Sequence, residues 1–330
     1  MNPLLFLAIA ISFLVTLFFT WRWIPIAKRA GLVGKDANKY ALPEVADMGG
    51  VTVMAGILGG TLFYIALNTF VLNQTEFNLA LFATLSTILI ITFVGIIDDF
   101  LGWKRGLSQL QKPLLTIPAV LPMMVINAGH SSISLPIMGD INLGILYPLL
   151  FVPIGIIGAS NGFNMLAGYN GLEAGMGAII ISAISIVAYF TGSGNIAMVG
   201  AITAAALLAF LAFNWYPAKI FPGNTFTYMI GAIIACLAIL ANVEKLAIMA
   251  FIPYFIDFIL KARSRMKAEE FGKAQPDGSL LKPYEKYFGL PHIMIDVICR
   301  IKGKAYERDI VLSILIIEAI CVAAGYLLYL

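Results

Sequence analysis

Two aspartates stand side by side at the end of an apolar run, in Gly95-Ile-Ile-Asp98-Asp99. At a helix C-terminus such a pair faces the negative end of the macrodipole, at roughly 0.3–1 kcal/mol each, which favours a cation or a phosphate-bound metal nearby. Neighbours on a helix point about 100° apart, so the two need not serve one ligand. The plainer account is an interfacial acidic cap beside Trp103, Lys104 and Arg105, although a basic residue suits that role better. Lys112, just before Pro113, is either a snorkelling anchor or a cation that reaches back to the acidic pair. Residues 160–175 hold Asn161, Asn164 and Asn170 among four glycines. An amide offers Mg²⁺ a neutral oxygen and offers a base or sugar both a donor and an acceptor. Asn-Gly pairs also form turns, but the i, i+3 spacing at the edge of an apolar run speaks against a mere linker.

Three further segments carry candidate chemistry. Gly223-Asn224-Thr225 can open a helix, presenting amides and a positive dipole end to an anion, or it can cap without any ligand. Gly31, Gly34, Asp36 and Lys39 lie close together. Glycine lets the backbone approach a ligand that Asp36 or Lys39 then reaches, and a solvated turn is the competing account. Lys261, Arg263, Arg265 and Lys267 form a basic cluster. Arg suits bidentate phosphate recognition, while a cluster beside a membrane also serves anionic lipid.

The elements that must position these groups are membrane helices. The 330 residues are 60% hydrophobic and 12% charged, with a mean hydropathy of +0.92, outside the range of soluble domains. A hydrocarbon crossing takes about 20 apolar residues as a helix, because lipid offers no partner to an open backbone. Ten such spans are expected, over 4–23, 49–72, 78–98, 112–128, 145–163, 173–191, 196–213, 225–241, 245–261 and 309–330. The first lacks a basic n-region and a cleavage site, and Trp21 and Trp23 suit an interfacial anchor. Of the 21 Lys and Arg, all but Lys245 fall in loops on one side. The positive-inside rule makes those loops cytoplasmic and both termini external. The fold class is therefore an all-α integral membrane protein of about ten helices. Residues 1–330 form a single polytopic domain, with 262–308 as a cytoplasmic insertion and a small external hairpin within 130–144. Cys236, Cys299 and Cys321 show no paired or metal-ligand spacing. His130 and His292 fall on opposite sides, which excludes a histidine metal site, and no Ser-His-Asp set, P-loop or zinc motif is present.

The candidate segments, in this order, resemble the polyprenyl-phosphate N-acetylhexosamine-1-phosphate transferases, glycosyltransferase family 4, and within them the archaeal-type branch using UDP-GlcNAc and dolichyl phosphate. The resemblance covers essentially the whole chain. It is carried by Gly31-Leu32, Gly34, Asp36, Asn38-Lys39, Pro43-Glu44, Gly95, Asp98-Asp99, Asn214-Trp215-Tyr216-Pro217 and above all the string from Asn161 to Gly175. It implies transfer of GlcNAc-1-phosphate from a UDP-sugar to a polyprenyl or dolichyl phosphate with release of UMP, the first step of lipid-linked oligosaccharide synthesis. Asp98, Asp99 and Lys112 then take catalytic positions, and Asn164 and Asn224 bind Mg²⁺, for which Mn²⁺ can substitute. Asp36, Lys39, Glu44, Asn161, Asn170, Arg263 and Arg265 line the substrates, with Asn170 reading uracil. Two departures stand out: Asn224 replaces the family's Asp, and Ser264 replaces the central His of an Arg-His-Arg segment. The expected partners are UDP-GlcNAc, the lipid phosphate and membrane lipid, not nucleic acid, and a homodimer is left open. The expected location is a prokaryotic, most naturally archaeal, plasma membrane, or the endoplasmic reticulum in a eukaryote. The competing class, a transporter or lipid scramblase, places its functional groups near the bilayer midplane and is built from related halves, features this sequence lacks.

Overall fold

The computed structural model describes residues 4–102, 111–129, 132–135 and 139–329. Helix α1 (Leu5–Arg29) leads through a hairpin, β1 (Val33–Lys35) and β2 (Glu44–Ala46), into α2 (Gly50–Phe70), α3 (Asn78–Leu101) and α4 (Gln111–Val125). A second hairpin, β3 (Ser132–Leu135) with β4 (Gly139–Asn142), precedes a π-helical stretch (Tyr147–Phe151) that runs into α5 (Val152–Phe163). Next come α6 (Leu172–Phe190), α7 (Gly194–Asn214), α8 (Gly223–Ala241) and the short α9 (Glu244–Ala250) and α10 (Ile252–Ala262). Strands β5 (Lys273–Ala274) and β6 (Ser279–Leu281), helix α11 (Leu290–Lys302) and strand β7 (Ala305–Tyr306) follow, and α12 (Glu307–Tyr326) completes the bundle. The three strands form one antiparallel sheet with β6 in the middle.

Seven helices, α1, α2, α3, α6, α7, α8 and α12, are long and apolar enough to cross a bilayer. The chain is a multi-pass membrane protein. The other three expected spans are helical but depart from a single long helix for local reasons. Helix α4 has 15 residues and carries Pro118 and Pro122, and each proline removes a backbone donor from the helical ladder. The stretch before it, with Trp103, Lys104 and Arg105, lies outside the described residues. The apolar helix over Tyr147–Phe163 is short. The expected span at 245–261 divides into α9 and α10 at Phe251, where Pro253 lies in the first turn of the second piece.

Helix α8 is the axis of the bundle. Its most apolar window is 89% buried, as an all-round apolar helix inside a large core must be. Helix α1 is at the rim, where Phe6, Leu14 and Phe18 are exposed, and it presents Ala8, Ser12, Thr16 and Thr20 inward at every fourth position. Small residues at that spacing let helix backbones approach closely in a membrane. Ser12 Oγ donates to the Ile202 carbonyl at 2.9 Å, and the Thr20 and Thr52 hydroxyls pair at 2.7 Å. The hairpin expected within residues 130–144 is present. The sheets on the basic side were not foreseen, because strands of two or three residues leave no alternating pattern to read.

Candidate active site

The basic loops meet at one end of the bundle, where the C-terminus of α3 crosses the N-terminus of α8. The crossing needs glycine on both sides. A methyl group on Gly95 would lie 2.6 Å from Thr225 Cα, and one on Gly223, itself at φ +72°, would lie 2.6 Å from Asp99 Oδ2. The close approach delivers Asp99 onto the start of α8. Its Oδ1 accepts the Asn224 N–H at 2.7 Å, and its Oδ2 accepts the N–H of Thr225 at 2.9 Å and the Thr225 hydroxyl at 2.6 Å. The start of α8 was expected to present its amides to an external anion or to cap without any ligand. The structure corrects the first account: the anion is Asp99, so these two amides are occupied from within the chain.

Asp98 turns the other way, as the 100° offset requires. It is buried, 2% exposed, and its Oδ2 accepts the Tyr228 hydroxyl at 3.0 Å and lies 3.1 Å from Lys112 Nζ. Lys112 therefore reaches back to the acidic pair, with its ammonium 5.8 Å from the centre of the Tyr228 ring. Sequence reasoning missed Tyr228. It lies one helical turn beyond Asn224, inside an apolar run where a tyrosine reads as core.

Asn164, at the C-cap of α5, accepts the Thr227 hydroxyl on its Oδ1 at 2.7 Å, which ties it to the same face of α8. Asn161, one turn earlier, donates to the Ile157 carbonyl at 2.9 Å and faces Thr116 Oγ1 of α4 at 3.5 Å. The Asn224 side chain is half-buried at the mouth of the site. Among the described residues, no group of three or more His, Cys, Asp or Glu is arranged to hold a metal. A neutral asparagine oxygen is a donor that suits an ion keeping most of its own water and substrate oxygens, as Mg²⁺ does, and not a closed protein cage.

A second polar cluster lies beside the first. Lys39 Nζ is 3.2 Å from Asp36 Oδ2, ion-pairs with Glu307 and stands 4.4 Å from the centre of the Tyr216 ring. Asn170 is buried with its polar groups engaged. Its Nδ2 donates to Asp36 at 3.2 Å, its Oδ1 accepts the Ala218 N–H at 2.8 Å, and its backbone N–H donates to Glu307 Oε1 at 2.7 Å. Glu307 is thus a further site residue, distant in sequence from every motif it joins. Glu44, Arg263 and Arg265 are exposed, and among the described residues no side-chain hydrogen bond or ion pair joins them to either cluster. Arg265 and Met266 follow one another at positive φ, in a turn where Ser264 Oγ accepts the Lys267 and Ala268 N–H groups. Lys261 turns inward instead, donating to the Met165 carbonyl at 2.9 Å and pairing with Glu270 at 2.8 Å. Asp47 was also missed. Burial, and then the charge of Asp99, push its carboxyl up to about 6, with the Met48 N–H opposing them.

An apolar groove of about 570 Å³ runs along α5, α8, α9 and α10. Phe151, Ile154, Ile234, Ile248 and Phe255 line it, and Asn161 and Met165 stand at its end nearest the clusters. At the other end Tyr147 donates to Glu244. An apolar channel within a membrane domain, opening beside buried charge, suits a ligand with a hydrocarbon body and an anionic head.

Fold and site together define a multi-pass membrane protein that carries buried polar clusters and an apolar groove. The family model described as glycosyl transferase family 4 matches residues 81–242. Over 314 residues the chain is 36% identical to a Sulfolobus acidocaldarius protein provisionally named UDP-N-acetylglucosamine–dolichyl-phosphate N-acetylglucosaminephosphotransferase, covering 94% of this chain and 92% of that one. It is 31% identical over 267 residues to the phospho-N-acetylmuramoyl-pentapeptide-transferase of Halalkalibacterium halodurans, covering 75% and 78% of the two chains. It is 25% identical over 363 residues to the UDP-N-acetylglucosamine–dolichyl-phosphate N-acetylglucosaminephosphotransferase of Dictyostelium discoideum, covering 93% and 85%. The chain belongs to glycosyl transferase family 4.

Proposed function

We propose that this protein transfers N-acetylglucosamine 1-phosphate from UDP-N-acetylglucosamine to a polyprenyl or dolichyl phosphate, releasing UMP. The observation that carries the reading is the buried Asp98–Lys112–Tyr228 cluster in a bundle that also holds an apolar groove lined by Asn161. The names of the matched relatives agree with it.

The reaction follows from charge. A lipid phosphate is largely dianionic near pH 7, since its second pKa is about 6. Its oxygen bonds to the β-phosphorus of the donor as the bond from that phosphorus to the bridging oxygen breaks, and UMP leaves with the electron pair. Little proton removal is needed, so catalysis is mostly positioning and neutralisation. Lys112 supplies a cation whose position Asp98 fixes, and Asp98 accepts any proton the lipid phosphate still carries. Tyr228 orients Asp98. Asp99 holds the start of α8, and with it Asn224, against α3. Asn164 and Asn224 would hold Mg²⁺ together with water and diphosphate oxygens, and the ion supplies charge neutralisation there. Arg263 and Arg265, free of ion pairs among the described residues, would meet the donor's phosphates from the solvent side. The basic face is the cytoplasmic one, in a prokaryotic plasma membrane with both termini outside. A cysteine introduced at Glu285 should resist an impermeant maleimide in intact cells, and one at Gln74 should react.

Purified protein given UDP-N-acetylglucosamine, a polyprenyl phosphate and Mg²⁺ should release UMP in step with formation of the lipid diphosphate sugar. Release without the lipid, or none with it, overturns the reading.

A further inference from the structure

Glu307 is the first residue of α12 and is 2% exposed. The Tyr306 side chain makes no cap at this helix start, and a carboxylate in a first turn is favoured by the macrodipole. Its two oxygens serve two different segments: Oε2 pairs with Lys39 of the first basic loop, and Oε1 accepts the Asn170 backbone N–H of the asparagine-rich loop at 2.7 Å. Asn170 in turn holds Ala218 through its Oδ1 and Asp36 through its Nδ2. Asn38 closes the ring by donating to the Gly168 carbonyl at 2.9 Å and accepting the Gly272 N–H at 3.1 Å. Five segments far apart in sequence therefore meet in one network, in which the Glu307 carboxylate joins the two loops of Lys39 and Asn170 directly. Two of them lead directly to the site, since the loop at Asn170 is continuous with Asn164 and the loop at Ala218 is continuous with Asn224. The ammonium of Lys39 lies between two carboxylates, so its charge serves the chain rather than an incoming phosphate. Removing one member of such a buried set leaves its partner uncompensated.

We propose that Glu307 is a positioning residue for the donor nucleotide: from the start of α12 it fixes Lys39 and Asn170, and so sets the two loops that carry Asn164 and Asn224. The inference rests on the transfer reading, and its role lies in binding geometry rather than in the bond-making step. Glu307→Gln keeps an acceptor for the Asn170 N–H but removes the charge that Lys39 faces.

In the full-length protein, Glu307→Gln should raise KM for UDP-N-acetylglucosamine about tenfold and weaken UMP binding by calorimetry to a similar degree. The kcat should stay within about threefold and KM for the lipid phosphate should not change. Lys39→Met should weaken UMP binding in the parent background and by less than about twofold in the Glu307→Gln background, because the two residues act as one unit. Fully additive losses overturn the proposal. So does a fall in kcat at unchanged donor KM, or a lower melting temperature with donor KM and UMP affinity unmoved. If Glu307→Gln does not fold, Glu307→Asp retains the charge and should show the same KM-against-kcat split in weaker form, its absence overturning the proposal. A parent protein that binds UMP but releases none overturns the transfer reading, while the UMP measurements still decide the role of Glu307.

Discussion

Asp99 accepts both the N–H and the hydroxyl of Thr225 on a single oxygen, so the carboxylate that ends α3 caps the start of α8. The arrangement resolves an electrostatic problem. A carboxylate at a helix C-terminus is disfavoured by that helix's own dipole, and the positive end of a second helix offsets it. Adjacent aspartates then divide the labour, with Asp99 fixing the frame and Asp98 meeting Lys112 and Tyr228.

The division predicts different phenotypes for the two neutral variants. Asp98→Asn should cut turnover at least about 100-fold, the scale of lost electrostatic stabilisation, with a melting temperature close to the parent's. Asp99→Ala should lower turnover too, but with a stability loss of about 1–2 kcal/mol typical of a lost cap. Thermal unfolding in detergent alongside UMP release separates them. Equal stability of the two variants contradicts the cap.

The crossing of α3 and α8 gives a second test. Gly95→Ala places a methyl group against Thr225 Cα, where backbone cannot yield as a side chain can. Overpacking of this kind typically costs about 1–3 kcal/mol, and here it also pushes the start of α8, with Asn224, away from Asp99. We expect a lower melting temperature and at least tenfold lower turnover. A variant that keeps parental activity would mean that the crossing distance does not matter to the site.

Much of this site was legible in the sequence, and the reason is local. Asp98, Asp99, Lys112, Asn164 and Asn224 stand at the ends of apolar runs, where a polar residue has no reason to be unless it meets something. What was hidden depends on long-range contact. Glu307 reads as an ordinary acidic residue in a helix's first turn until Lys39 and Asn170 are found against it. Tyr228 is indistinguishable from core in a run of apolar neighbours. The break at Phe251 was missed because hydropathy is continuous across residues 245–261, although Pro253 carried the signal. Helix burial was legible only as a class: apolar periodicity cannot separate α8, packed on all sides, from α1, which faces lipid.

A pH effect follows from His292, which is fully buried in the basic-side insertion. Its Nδ1 accepts the Phe288 N–H at 3.3 Å and its ring meets Tyr284 edge-on at 5.6 Å. Burial lowers its pKa from 6.5 to about 4. The folded state therefore takes up this proton only near pH 4, whereas the unfolded chain does so near 6.5. Between those values the unfolded state binds more protons, so this contribution is complete above about pH 6.5 and is lost as pH falls toward 4. At pH 5 the loss is about 2 kcal/mol, at 1.36 kcal/mol per unit. The melting temperature of the parent should fall between pH 7 and pH 5 by more than that of His292→Phe, which lacks the titrating group. Parallel falls would mean that His292 is already charged in the fold.

Asn224 is one of two positions at which the sequence departs from the pattern of the family it resembles, and the structure sharpens what a charge there would do. Its backbone N–H is held by Asp99, so Asn224→Asp changes only the side chain at the mouth of the site. A carboxylate at that point joins Asp98 and Asp99 on one side of the donor's diphosphate. Without a divalent ion the added repulsion should weaken UDP-N-acetylglucosamine binding. With the ion it should tighten Mg²⁺, because two neutral amide oxygens become one amide and one carboxylate. We expect the half-activating Mg²⁺ concentration to fall about tenfold, equivalent to 1.4 kcal/mol, and donor binding measured by calorimetry in EDTA to weaken. Turnover at saturating Mg²⁺ should stay within about tenfold of the parent if neutral Asn224 is part of a working site. A parent that is nearly inactive beside a vigorous Asp variant would instead identify Asn224 as an inactivating substitution. If Mg²⁺ dependence and EDTA binding are both unmoved, position 224 does not touch the ion, and the residue serves only to begin α8.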